Sequence, residues 1–162
     1  MSERLVHPVS PVYNSESKIL ILGTFPSVKS REGKFFYHHP QNRFWKVISA
    51  VFNEEVPKTI VEKKELLLRN KIALWDVIQS CEIEGSSDNS IKNVIPNDIS
   101  LILGKADIQK IYANGSVAYA LYKKYIYEKT GREIIRLPST SPANASYSLE
   151  RLIEIWSCIR DY

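Results

Sequence analysis

Four short apolar runs punctuate the chain, each ended by glycine, proline or a polar residue. They are Lys18–Gly23, Ile72–Ile78, Lys110–Asn114 before Gly115, and Glu133–Leu137 before Pro138. The first is continuously aliphatic, the pattern of a central strand covered on both faces, and all four read as strands. Between them the apolar positions recur every three or four residues. Phe44, Val47, Ile48 and Val51 form one such face, Ala118, Leu121, Tyr122 and Tyr125 a second, and Leu149, Leu152, Ile153 and Trp156 a third. That period predicts helices. Residues 58–70 also read as a helix, and Asp98 reads as the cap of a short one over Ile99–Leu103. Regular alternation of strand and helix predicts an α/β protein: a three-layer αβα sandwich around a four-stranded parallel sheet. We expect one domain over residues 1–162.

Ligands of such sheets bind beyond the carboxyl ends of the strands. Two segments stand there. Gly23-Thr-Phe-Pro-Ser27 follows the first strand and leads, through a basic polar stretch, to Phe35-Phe-Tyr-His-His-Pro-Gln-Asn-Arg-Phe-Trp45. Pro138-Ser-Thr-Ser-Pro-Ala-Asn-Ala145 follows the fourth. The first string reads either as a strand stop with a turn or as a binding loop. It lacks the spacing and the Lys-Ser/Thr pair of a phosphate loop. Asn42 stands where the Phe44–Val51 period begins, so it reads as a helix cap. From that position it could also present its amide to a water or to a substrate edge. The second string reads as an exposed turn, or as a stiff, slim loop that meets phosphates through hydroxyls and backbone N–H groups.

Composition removes whole classes of function. With 44% apolar and 25% charged residues, the chain has an ordinary globular composition, long enough at 162 residues to bury a core. No run of about 18 apolar residues exists, and residues 1–13 lack a signal-peptide stretch, so a cytoplasmic protein is expected. Cys81 and Cys158 stand alone, which excludes a four-cysteine cluster or zinc site; both are expected as buried small hydrophobes. His38 and His39 are adjacent and point apart on any regular element, with no third ligand nearby. No Gly-x-Ser-x-Gly elbow follows any strand. No metal or cofactor is expected. The net charge of +4 leans only weakly toward a polyanionic partner.

Taken together, the two loops resemble the uracil-DNA glycosylase superfamily, above all its hypoxanthine-DNA (deoxyinosine) glycosylase branch. Gly23-Thr-Phe-Pro-Ser27 is similar to the first motif, His39-Pro-Gln-Asn-Arg-Phe-Trp-Lys46 to the His-Pro-x-Asn-Arg-Phe-Trp string shared with mismatch-specific uracil glycosylases, and Leu137–Asn144 to the second motif. Leu74-Trp-Asp-Val-Ile78 and Glu84-Gly-Ser-Ser-Asp88 extend the likeness. Phe25 stands where other branches carry a water-activating Asp or Asn, and phenylalanine cannot orient water. Ser139 stands where uracil-specific enzymes often carry histidine.

The resemblance therefore implies Asn42 as the catalytic residue, positioning a water below the sugar C1′. It implies Gly23, Thr24, Phe25, Pro26 and Ser27 around the base, and Tyr37 stacked on it. Ser139, Thr140, Ser141, Pro142, Ala143 and Asn144 are implied as the DNA-binding loop, with 142–144 as the wedge. Ser27, Ser30 and the hydroxyls of 139–141 would meet phosphates, with charge from Lys29, Arg31 and Lys34. The activity implied is that of a monomeric, monofunctional glycosylase that releases deaminated bases from DNA, hypoxanthine first. The alternatives are a mismatch-specific uracil/thymine glycosylase and a catalytically silent DNA-binding module of the same fold.

Overall fold

The computed structural model describes residues 3–162; Met1 and Ser2, the start of the domain expected over 1–162, lie outside the described residues. The elements are β1 (Glu3–Val6), β2 (Ile19–Gly23), α1 (Val28–Gly33), α2 (Phe44–Val51), α3 (Ile60–Arg69), β3 (Ile72–Asp76), β4 (Ile78–Ile83) and β5 (Lys92–Pro96). There follow α4 (Ser100–Leu103), β6 (Lys110–Asn114), α5 (Ser116–Tyr125), α6 (Tyr127–Thr130), β7 (Ile134–Leu137) and α7 (Leu149–Trp156).

The predicted sheet is present, four parallel strands in the order β3-β2-β6-β7. Every residue of β2 is buried, and alternate side chains feed two cores. Ile19 and Ile21 join Phe44, Ile48, Leu66, Leu152 and Trp156 beneath α2, α3 and α7. Leu20 and Leu22 join Ile102, Ala118 and Tyr122 beneath α4 and α5. Each fully buried aliphatic or aromatic side chain contributes about 1.5–3 kcal/mol, which is why this run can only be a central strand. Leaving β2 the chain runs to β3 on one side, then crosses to β6 on the other. That reversal opens the crevice at the carboxyl ends of the strands.

Two expectations need correction. The run 72–78 is not one strand: the chain turns at Val77, and β4 enters a separate antiparallel sheet of order β1-β4-β5. This second sheet packs Ile78, Cys81 and Ile83 onto the Leu20–Leu22 face of the parallel sheet. Cys158, expected to be buried, is exposed, whereas Cys81 is buried. A short helix, α1, also stands within the stretch read as basic and polar.

Asn97, buried, holds the turn at Val77. Its Nδ2 group donates to the carbonyls of Asp76 and Ile78 at 2.9 and 3.1 Å, and its own N–H donates to Val77 O at 2.7 Å. Asn97→Ala would leave two buried carbonyls without that donor. It should lower the unfolding free energy by about 1–3 kcal/mol in urea titrations. An unchanged midpoint would mean that the strands hold the turn unaided.

Candidate active site

A cavity of about 520 Å³ opens at the carboxyl edge of the parallel sheet. Gly23–Ser27, Asp76, Asn114 and Ser139–Ala143 reach it from the ends of the four strands, and Tyr37, His39 and Asn42 come from the loop before α2. The loop at 86–89 closes one side.

Asn42 is bound from two sides. Its Oδ1 accepts from the Phe44 N–H at 2.9 Å, two residues on, and from the Thr140 hydroxyl at 2.9 Å; the cap position of α2 expected at Asn42 falls one residue later, on Arg43, whose side chain makes no capping bond. Thr140 Oγ1 is in turn the acceptor for Asn114 Nδ2 at 3.0 Å, and Asn114 Oδ1 accepts from the Thr140 N–H at 3.0 Å. Backbone N–H groups stand at both ends of this chain, so neither amide can be flipped without placing N–H against N–H. Both Oδ1 lone pairs of Asn42 are therefore occupied. What it offers the cavity is its Nδ2 group, a hydrogen-bond donor.

Tyr37 stacks on Phe44, with ring centroids 4.1 Å apart at 21°, which leaves its other face free of that partner. Its hydroxyl is buried beside Asn114 without a hydrogen bond of good geometry. Burial and then the Asp76 charge raise its pKa, so the hydroxyl stays a protonated donor. At Gly23, a Cβ would lie 2.4 Å from Asp76 Oδ1 and 2.7 Å from the Tyr37 hydroxyl; the missing side chain is what lets these two groups converge. Asp88, at the rim, has its carboxyl pushed up to about 6 by reduced solvation and then by the Asp76 charge. Phe25 is buried against the edge of the His7 ring, 5.8 Å away, and forms part of the cavity wall.

The loop after β7 is held rigidly. The Arg43 guanidinium donates to the carbonyls of Ser141, Asn144 and Tyr147, and the Arg43 N–H donates to Thr140 O. Ser139 and Ser141 each accept a backbone N–H two residues on, and Asn144 Nδ2 donates to Ser139 O. Pro142 and Ala143 are left exposed at the tip.

Several residues do not fill the roles expected of them. Thr140 is fully buried with its hydroxyl and N–H both engaged, so it supports Asn42 instead of touching DNA. Ser30 is buried and its hydroxyl accepts the His38 N–H, so it meets no phosphate. Ser27 caps α1 through the Ser30 N–H. Arg31 spends its guanidinium on Pro26 O and Gly85 O, tying two loops together. Lys29 lies beside Glu32 at 3.9 Å, and Lys34 is exposed. Among the described residues no cluster of His, Cys, Asp or Glu could hold a metal ion, and no helix is long and apolar enough to cross a membrane.

The uracil DNA glycosylase superfamily profile matches residues 10–161. This chain belongs to that superfamily. A hypoxanthine DNA glycosylase of Methanosarcina barkeri is 33% identical over 135 residues, 83% of this chain and 85% of the relative. One from Methanosarcina acetivorans is 33% identical over 150 residues, 91% and 93% of the two chains. The solution NMR structure of a candidate uracil DNA glycosylase from Methanosarcina acetivorans superposes with a TM-score of 0.81 at 31% identity, covering 95% of each chain. As a superfamily member the chain acts on DNA, and a glycosylase fold with its cavity at this edge agrees with the α/β sandwich read from sequence.

Sequence reasoning missed three residues of the site. Asn114 carried a signal, as a polar residue ending a buried strand just before a glycine. Asp76 carried another, a charge inside an apolar run. His7, 69 residues from its partner Asp76, carried none. Because Gly23 has no room for a methyl group, Gly23→Ala should displace Asp76 or Tyr37. We expect base release to fall at least about tenfold and stability by about 1–3 kcal/mol. Abasic-site formation and thermal melts measure the two effects, and full activity in the variant would show that the convergence at Gly23 is dispensable.

Proposed function

We propose that this glycosylase hydrolyses the N-glycosidic bond of hypoxanthine in DNA, acting as a monofunctional, monomeric, cytoplasmic enzyme without cofactor. The observation that carries the reading is the directed Asn42 amide lining an open cavity, whose wall also includes the exposed Pro142-Ala143 tip. The two Methanosarcina relatives named for hypoxanthine support the choice of base.

A base stacked in a duplex must be extruded before its bond can be reached, at a cost of a few kcal/mol. The clamped loop supplies a stiff wedge whose ordering is complete before DNA arrives. The open face of Tyr37 supplies a stacking platform, worth about 1–3 kcal/mol per base. In the reaction the C1′–N9 bond breaks and the base keeps the electron pair. Water adds at C1′, and its proton passes to the departing base. Positive charge on the sugar makes C1′ a strong electrophile, so the water needs position more than deprotonation. Asn42 Nδ2 donates to one lone pair of that water and leaves the other free to attack, a contribution through orientation. The neutral amide abstracts no proton, and Phe25 offers none of the water-binding chemistry of a carboxylate.

The test is a panel of oligonucleotides carrying hypoxanthine, xanthine, uracil or a G·T mismatch, each incubated with protein and then cleaved by alkali. Hypoxanthine should be released fastest. Release of uracil or mismatched thymine in its place would move the enzyme to the mismatch-specific class, and release of nothing would leave a DNA-binding module. Asn42→Ala should lower hypoxanthine release about 100-fold or more with DNA affinity largely retained. Retained activity in that variant would remove Asn42 from the mechanism.

A further inference from the structure

Asp76 ends β3 with its side chain buried, and it lines the cavity. Its Oδ2 atom lies 2.7 Å from His7 Nε2, and side-chain exposures of 5% and 3% seal the pair from water. The direction of this bond is fixed. His7 Nδ1 accepts the Val9 N–H at 3.1 Å, so Nδ1 carries no proton and the ring proton sits on Nε2. His7 therefore donates and Asp76 accepts. The other oxygen, Oδ1, lies over Gly23 with no hydrogen-bond donor among the described residues. A carboxylate oxygen without a protein donor, on a residue that lines a cavity, is a place for a ligand N–H.

The neighbouring amides are engaged to different degrees: Asn42 Oδ1 accepts from both Phe44 and Thr140, and Asn114 Oδ1 accepts from the Thr140 N–H, so neither matches the Asp76 oxygen, which carries the charge and has no donor among the described residues. The Tyr37 hydroxyl, beside the same point over Gly23, is a donor. The cavity thus sets one donor next to one charged acceptor. Hypoxanthine presents the complementary pair on its Watson–Crick edge: the O6 acceptor beside the N1–H donor. Adenine presents the reverse, an amino donor beside an N1 lone pair.

Resting on the reading of this cavity as a hypoxanthine site, we infer that Asp76 Oδ1 accepts the N1–H of the flipped base and so sets the discrimination against adenine. It rejects bases with a lone pair or a substituent at N1. His7 is the positioning residue that turns Oδ1 toward the cavity.

The test compares release of hypoxanthine, N1-methylhypoxanthine and unsubstituted purine, which has a lone pair at N1, by the wild type and by Asp76→Asn. The wild type should release hypoxanthine about 10- to 100-fold faster than its N1-methyl derivative. In Asp76→Asn, the His7 N–H keeps the amide oxygen on its own side and turns Nδ2 toward the base. Hypoxanthine release should then fall about 10- to 100-fold while the rate for purine relative to hypoxanthine rises. A merely structural role would lower all three rates by one factor, and that result overturns the inference. So does equal release of hypoxanthine and N1-methylhypoxanthine by the wild type, a comparison that needs no variant to fold. If the wild type releases no hypoxanthine at all, the functional reading itself fails.

Discussion

Two backbone N–H groups, those of Phe44 and Thr140, fix the direction of every hydrogen bond in the chain linking Asn42, Thr140 and Asn114. An amide in water has no preferred sense; here both are pinned because a backbone N–H can only donate. The chain joins the start of α2 to the end of β6 and the loop after β7, so the proposed catalytic amide is tied directly to the loop that carries the exposed Pro142-Ala143 tip. Arg43 reinforces the link from the neighbouring position, with three carbonyls of the 141–147 segment on its guanidinium. Groups held in place before substrate arrives need little reorganisation during the reaction, which suits a site that works by orientation.

A second constraint is one of space. The aromatic residues that precede Asn42 are not loop decoration. Phe35 and Phe36 are buried, Phe35 stacks on Trp45, and Phe44 meets both Trp45 and Trp156 edge-on. This packing carries Tyr37 to Gly23, where only a residue without a side chain lets its hydroxyl approach the Asp76 carboxylate. The antiparallel sheet serves the same place from the other side. By pairing with β4 it brings the N-terminal strand, and with it His7, against the end of β3.

What could be read from sequence followed from periodicity and position. β2, β6 and β7 announced themselves as apolar runs, and the rule that ligands gather beyond strand ends pointed to Gly23–Ser27 and Ser139–Asn144. Asn42 stood out because a helix start predicts where an amide is fixed. The rest depended on partners distant in the chain. The run 72–78 is apolar on both sides of Asp76, because β4 is buried in a different sheet and needs apolar residues as much as β3 does, so a single charge did not separate the two strands. Thr140 looked like a phosphate contact because hydroxyl-rich turns usually face water. Its burial depends on Asn42 and Asn114, 98 and 26 residues away.

The arrangement also has a cost that shapes selectivity. A leaving base gathers negative charge, and a carboxylate at its N1 edge opposes that charge. The Tyr37 hydroxyl beside the base, and the His7 N–H that Asp76 Oδ2 accepts, offset this in part. A site that reads N1–H with an anion therefore binds the right edge while assisting departure less than a ring of neutral donors would. Only a base that already leaves readily can be cut under that handicap. Hypoxanthine leaves more readily than an intact purine, so modest catalysis becomes a second filter acting after the hydrogen-bond readout. The apolar Phe25 fits the same proposal: with no carboxylate or amide there to activate water, an ordinary purine that entered the cavity would return to the helix before its bond broke.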